Sequence, residues 1–199
     1  MNKQTMAELG ANVMRDFCGL NAMPAPEINT VDPAGWQFGT CAYYRPQRGI
    51  VICVPRCAAI GTAGRQWSYP GYTVDRTPYG VLQHELGHHA DVLRGSHQHA
   101  DGSRMLERVY WSDFSTRVRE TAGEKPITSY CPNNAEWFAE MFRVFVTNPD
   151  FLRLLRPRTH RELSAKFKPL FTDTWRDRLA MAPARTLVVA ERKIEEARP

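Results

Sequence analysis

The first pattern along the chain is helical. Hydrophobic residues recur at helical spacing over residues 5–17, and Thr5 and Glu8 form a capping-box pattern at the start of that segment. Two later runs, Trp36–Tyr44 and Ile50–Val54, are rich in aromatic and β-branched residues and flank a short segment with the composition of a turn. The sequence therefore predicts an N-terminal helix followed by a β-hairpin.

The second half of the chain is patterned almost entirely as helices. Thr77 and Pro78 are an N-cap followed by proline at the first helical position, and Gly95 marks the end of the same helix. Thr159 and Glu162 repeat the capping-box pattern. Further helices are predicted at 103–120, 135–147, 150–155, 160–168 and 184–199. This order favours an α+β fold, with a small sheet on one side of several helices.

Two segments lack a helical or strand period. Residues 21–35 contain several prolines, and residues 55–77 are dense in glycine, arginine and aromatic residues. Both are predicted to be loops. Long loops inside compact domains often serve function, so 55–77 is a candidate for shaping a specificity pocket.

The composition is that of an ordinary globular protein, with 43% hydrophobic and 24% charged residues in 199. We expect one domain, in which 1–77 holds the first helix, hairpin and loop, 78–155 carries the candidate chemistry, and 156–199 is a C-terminal helical segment. No stretch has the length and apolar character of a membrane span. The first twenty residues contain acids and no apolar core, so we expect a cytoplasmic protein without a Sec signal peptide.

The charge and the cysteine content limit the classes of partner and metal site that the chain can have. The formal net charge is +5, and a basic surface can serve nucleic acid. The positive residues are spread along the chain without a run of five, so we expect solvated faces rather than a nucleic-acid groove. We also expect a monomer. The five cysteines are expected to be reduced. Cys53 and Cys57 lack further ligands at short spacing, which favours buried thiols over a structural zinc site.

The strongest chemical signal is the sequence His84-Glu85-Leu86-Gly87-His88, inside the helix predicted to start at Pro78. Residues four apart lie on one helical face, so both imidazoles can bind one zinc ion at about 2.0–2.1 Å. Zinc lowers the pKa of a bound water to about 7, and a neighbouring carboxylate can then take its proton. The motif predicts His84 and His88 as ligands and Glu85 as the general base.

Such a pair of histidines can also arise by chance, but the amphipathic helix with clear ends favours ligands. A catalytic zinc needs a third protein ligand and one open position. Asp91 and Arg94 stand where a metzincin has its glycine and third histidine, which excludes that class. His97 and His99 are interpreted as surface residues. His89 is expected to point away from the metal.

The candidates for the third ligand are Glu136 and Glu140, four residues apart on a predicted helix that is otherwise strongly apolar. Carboxylates on such a helix are costly unless they are paired or bound to metal. One can ligate zinc, while the other can accept the N–H of a ligand histidine and hold its tautomer. The alternative is an exposed acidic stripe paired with Arg143. The upstream histidine motif favours metal binding.

Two nearby residues have open interpretations. Tyr130 lies in the irregular segment before the Glu136 helix, where its phenol can donate a hydrogen bond to the oxyanion of a tetrahedral intermediate. On spacing alone, a core or surface tyrosine is an equally good interpretation. Asp91, three residues after His88, can brace the site as a second-shell acceptor or face solvent.

These residues together resemble a known family. The stretch His84–His88 with Asp91, the segment Ile127–Tyr130 and the helix Asn134–Arg143, which contains E-W-F-A-E, are similar to the catalytic domain of anthrax lethal factor and the related Pro-Pro endopeptidases. Those proteins are zinc peptidases of the gluzincin group. The resemblance covers roughly residues 78–155, and Cys131 departs from it where a small residue is expected.

The resemblance implies a zincin-like fold that binds one Zn²⁺ and hydrolyses peptide bonds of a protein or peptide substrate. The implied zinc ligands are His84, His88 and Glu136. The resemblance further implies Glu85 as the general base, Tyr130 as the oxyanion-stabilising group and Glu140 as the support of a ligand histidine. A substrate is expected to lie extended along an edge strand of the hairpin.

Two other functions stay open. A regulatory peptidase that cleaves repressors in phage and mobile elements also pairs the histidine motif with a later glutamate helix, although the distance from His88 to Glu136 is long for that type. The second is a metal-stabilised binding module without catalytic turnover. In such a module Glu85 has no role, because a structural metal site needs no base. An effector delivered without a Sec signal and a phage-encoded protein are both compatible with the sequence.

Overall fold

The structure is a computed structural model that describes residues 2–36, 39–57, 75–95, 113–128 and 130–170. Within these ranges the architecture is α+β, as predicted, with six α-helices and one three-stranded sheet. The helices are α1 (Lys3–Leu20), α2 (Pro78–Arg94), α3 (Asp113–Ala122), α4 (Asn134–Thr147), α5 (Pro149–Leu155) and α6 (Pro157–Ser164). The strands are β1 (Ile28–Thr30), β2 (Ala42–Arg45) and β3 (Gly49–Ile52), with short 3-10 turns at Pro33–Gly35 and Val54–Arg56.

Several predicted segments fall partly or wholly outside these ranges. They are most of the loop 55–77, the first part of the helix 103–120 and the helix 184–199. In the described part of the chain, no helix combines the length and apolar character that a bilayer span requires.

Within the described ranges the sheet has the strand order β1-β3-β2, so β2 is an edge strand of this part of the sheet. β2 and β3 pair antiparallel with Arg45 opposite Gly49, which confirms the predicted hairpin with a shorter first strand. β1 pairs parallel to β3 through Ile28 and Ile50. It lies inside the segment predicted to be a loop. That prediction was wrong because three residues between prolines carry no strand period, and the pairing depends on a distant partner.

The two central helices have the ends that their sequences predict. At the start of α2, the Thr77 hydroxyl accepts a hydrogen bond from the Gly80 amide at 3.0 Å, and the Gly95 amide closes the other end on Asp91. At the start of α4, the Asn133 side chain accepts a hydrogen bond from the Glu136 amide at 2.8 Å. Side-chain caps of this kind satisfy amides that otherwise have no partner in the helix.

Both capping-box predictions were wrong. α1 is capped by Asn2, whose side chain accepts a hydrogen bond from the Thr5 amide at 2.8 Å, so Thr5 lies in the first turn. α6 begins at Pro157 and has no side-chain cap of its own. The Thr159 amide instead donates to Glu124, at 2.7 Å, from a distant part of the chain. A closer or better-placed acceptor displaced the local pattern in each case.

α2 lies against both α1 and α4, and the main hydrophobic core fills the space around these helices. A Cβ atom placed at Gly10 of α1 would lie 3.1 Å from the Tyr79 Cα, which shows how closely α1 approaches α2. The largest fully buried side chains include Trp137, Arg143, Tyr79, Phe17, Phe138 and Phe142. Cys53 and Cys57 are also buried, as expected for apolar thiols.

α2 and α4 approach each other closely at Gly87, between the two histidines of the motif. A Cβ at this position would lie 2.7 Å from the Ala139 Cα. Gly87→Ala is therefore expected to lower the free energy of unfolding by about 1–2 kcal/mol in urea denaturation, since an overpacking cost of about 2–3 kcal/mol against the α4 backbone outweighs a helix-propensity gain near 1 kcal/mol. Gly19→Ala in α1, with open space around it, is the matched control and is expected not to destabilise. A Gly87→Ala chain as stable as the wild type would contradict this close approach.

Candidate metal centre

α2 and α4 bring together the three predicted ligand side chains. His84 and His88 lie on one face of α2, and Glu136 lies in the first turn of α4. His84 Nε2 is 3.0 Å from Glu136 Oε2, and His88 Nε2 is 3.5 Å from the same oxygen. Among the described residues, this is the only group of three histidine, cysteine or acidic side chains whose ligand atoms all lie within 4.8 Å of one another.

The spacing of these donor atoms fits a zinc ion. Tetrahedral ligands at about 2.0–2.1 Å from zinc lie about 3.3 Å from one another. The two measured separations, 3.0 and 3.5 Å, lie on either side of that value. Two imidazoles and one carboxylate are also a common donor set for a zinc that keeps an open position. The residues present therefore fit a single zinc ion without rearrangement of the helices.

Both ring nitrogens of His84 face carboxylates. Nε2 contacts Glu136, and Nδ1 lies 2.8 Å from Glu140 Oε1. Burial lowers the pKa of His84, but the hydrogen bonds to Glu136 and Glu140 outweigh this and raise the pKa to about 10. In the metal-free protein, a proton on Nε2 therefore occupies the position from which this nitrogen would bind zinc.

Zinc binding must displace that proton, which leads to a measurable prediction. At pH 7 we expect zinc uptake to release about one proton from His84, and the apparent affinity to fall as the pH is lowered. Calorimetric titration in buffers of different ionisation enthalpy measures the number of protons released. His84→Ala, which lacks the imidazole, is the control and should release fewer. Zinc binding without proton release would contradict the assignment of His84 Nε2 as a ligand.

Glu140 is the buried support of His84. Its side chain is only 1% exposed. Burial raises the pKa of this carboxyl, but Arg143 and His84 together hold it well below its usual range. Thr128 also donates its hydroxyl to Glu140 Oε2 at 2.7 Å. Glu140 is thus an ionised acceptor aimed at His84 Nδ1, the role that the sequence predicts for a carboxylate accepting the N–H of a ligand histidine.

Glu85 lies beside the cluster in a buried environment. Its Oε2 has no hydrogen-bond partner among the described residues. Burial raises the pKa of the Glu85 carboxyl, while the charges of His88 and His84 and a backbone hydrogen bond from Tyr44 act in the opposite direction. A carboxyl with raised proton affinity next to a candidate metal position is suited to general acid–base chemistry.

Tyr130 lies at the mouth of the cluster. Its ring centroid is 5.7 Å from that of His84, and the side chain is 42% exposed. Partial burial and the neighbouring charge of Glu136 raise the pKa of the phenol, so it is a hydrogen-bond donor at neutral pH. Cys131 turns back to Thr128, and its thiol lies 3.4 Å from the Thr128 carbonyl oxygen.

The other candidate residues have different surroundings. Asp91 is buried rather than facing solvent, and its Oδ1 accepts a hydrogen bond from the Ser115 amide at 2.8 Å, so it connects α2 to α3. His89 contacts the Tyr44 hydroxyl at 3.0 Å and the Pro24 carbonyl at 2.8 Å, away from the metal position as expected. His97 and His99 lie outside the described residues.

Sequence reasoning missed two supports of the site. Thr128 carried no signal of its own beyond its place in the segment before Tyr130. Arg143 was considered only as the partner of an exposed acidic stripe, whereas the structure buries it against Glu140. Its position three residues after Glu140 on an apolar helix was the available signal.

Comparison of the chain with protein families, with curated proteins and with solved structures finds no match.

Proposed function

We propose that this chain is a zinc-dependent metallopeptidase with a zincin-like catalytic domain. One observation carries the proposal. Three donor atoms on two helices lie within 4.8 Å of one another, with a buried carboxylate, Glu85, beside them. The proposed zinc ligands are His84, His88 and Glu136. The fourth coordination position is left for water and substrate.

Zinc in this site would acidify water and polarise the carbonyl of the peptide bond. Glu85 takes a proton from the attacking water and passes it to the leaving amine. Its raised pKa favours holding that proton between the two steps. The phenol of Tyr130 donates a hydrogen bond to the developing oxyanion.

Glu85 also separates this proposal from a binding module without turnover. A structural metal site needs the three ligands but no fourth carboxylate beside them. Burying an acid without a full set of hydrogen bonds costs stability, and Glu85 Oε2 has no partner among the described residues. A base for hydrolysis accounts for this cost, whereas a structural site does not.

The edge strand β2 is the proposed binding position for an extended substrate. β2 contacts α2, and the backbone of Tyr44 acts to lower the pKa of the Glu85 carboxyl, so β2 passes beside the proposed base. In an antiparallel pair, the backbone N–H and C=O groups of every second residue bond to the partner strand, and those of the residues between them point outward. A peptide that extends β2 by backbone hydrogen bonds would therefore place its peptide groups next to Glu85.

The proposal is tested with the purified chain and a peptide library. We expect about one zinc per chain by elemental analysis, and cleavage that stops with a chelator and returns when zinc is added. A chain that binds no zinc would overturn the metal site. Zinc binding without cleavage of any peptide or repressor protein would favour the binding module instead.

A further inference from the structure

Arg143 is a charged residue in the centre of the core. It lies on α4 one turn after Glu140, and its side chain is 1% exposed. Its guanidinium makes two hydrogen bonds to one carboxylate: Nε donates to Glu140 Oε1 and Nη2 donates to Oε2, both at 3.1 Å. A planar fork of this kind fixes the orientation of the carboxylate as well as its position.

The same carboxylate faces the zinc site. Glu140 Oε1 accepts a hydrogen bond from Arg143 Nε and also lies 2.8 Å from His84 Nδ1. Oε2 is held by Arg143 Nη2 and by the Thr128 hydroxyl. Every contact of Glu140 on the side away from His84 therefore serves to aim Oε1 at that imidazole.

A second buried acid lies near Arg143. Asp75 is buried just before α2, its Oδ1 accepts a hydrogen bond from the Thr77 amide at 2.9 Å, and its negative charge stabilises the guanidinium. A buried cation is costly unless it is well paired. The two hydrogen bonds to Glu140 and the charge of Asp75 together meet that requirement, and the guanidinium fork stays on Glu140.

We propose that Arg143 is a positioning residue for the zinc site, which acts through Glu140 on His84. The fork holds Glu140 so that Oε1 keeps the Nδ1 proton of His84, and Nε2 is left directed at Glu136 and His88. The inference rests on the proposed zinc site, but it does not depend on which substrate is cleaved or on turnover.

A double-mutant cycle of Arg143 and Glu140, with zinc affinity as the measured quantity, tests whether Arg143 acts through Glu140. Arg143→Met is expected to weaken zinc binding by about 10–100-fold, the usual effect of losing an outer-shell partner, and Glu140→Gln by a similar factor. The double variant, Arg143→Met with Glu140→Gln, should bind zinc no more weakly than Glu140→Gln alone. Arg143→Lys restores the charge without the fork and should lie between Arg143→Met and the wild type. Cobalt-substituted protein should show a shifted absorption band in the variants that lose the fork.

Arg153→Met is the matched control. Arg153 pairs with Asp150 at the same spacing of three residues, but on the exposed surface, so zinc affinity should not change. Equal zinc affinity in Arg143→Met and the wild type would overturn the inference, as would a full additional loss in the double variant. If Arg143→Met does not fold, the same cycle with Arg143→Lys decides by the same criterion. A wild-type chain that binds no zinc would instead overturn the site itself.

Discussion

Glu85→Gln is expected to lower kcat/KM for peptide hydrolysis by about 10²–10⁴-fold while zinc stays bound, because an amide of the same shape cannot take a proton from water. This corresponds to roughly 3–5 kcal/mol of lost transition-state stabilisation. Glu85 is not among the three side chains whose donor atoms form the cluster. This variant should therefore keep its zinc, as measured by elemental analysis, and lose hydrolysis, as measured by cleavage of a selected peptide.

The stability of the same variant provides an internal check. Because burial raises the pKa of Glu85 in the folded chain, the ionised carboxylate costs stability once the pH rises above the unfolded pKa near 4.3. Glu85→Gln removes this cost, so at pH 7 the metal-free variant should be at least as stable as the wild type. Glu8→Gln, on the exposed face of α1, is the control and should change neither kcat/KM nor the free energy of unfolding. Normal turnover by a zinc-loaded Glu85→Gln chain would rule out this residue as the base.

Glu136→Gln is expected to weaken zinc binding by more than the factor of about 10–100 expected for Glu140→Gln. Glu136 Oε2 is the oxygen that faces both histidines, at 3.0 and 3.5 Å. Of the two histidines, Glu140 contacts only His84, at Nδ1 on the side of the ring away from the donor cluster. Losing a ligand removes a bond to the metal, whereas losing Glu140 only loosens the orientation of an existing ligand.

The two variants are compared by competition with a chromophoric chelator, with circular dichroism as the check that both are folded. They remove the same group from the same helix, one turn apart, so general effects on α4 are shared. A larger loss in Glu140→Gln than in Glu136→Gln would mean that the ligand and its support have been exchanged in this account.

The helices that carry the site could be predicted because their signals are local. Thr77, Pro78 and Gly95 mark the ends of α2, and Asn133 caps α4, so the ends needed no information from the rest of the chain. β1 could not be predicted in this way, since it exists through its pairing with β3. The start of α6 depends on Glu124, whose carboxylate reaches it from an earlier segment.

The same distinction applies to the candidate site. The i, i+4 spacings of His84 with His88 and of Glu136 with Glu140 predict which residues share a helical face, and the structure brings the two faces together. The sequence could not show that Asp91 would face the Ser115 amide. Nor could it show that Arg143 would be buried, because that depends on how α4 packs against its neighbours.

The most direct test of the zinc site is anomalous scattering from crystals of the zinc-loaded chain, measured on both sides of the zinc absorption edge. We expect one strong difference peak at about 2.0–2.1 Å from the Nε2 atoms of His84 and His88 and about 2.0–2.2 Å from a carboxylate oxygen of Glu136. A peak bound elsewhere, or a Glu136 side chain turned away from the two histidines, would contradict the proposed site.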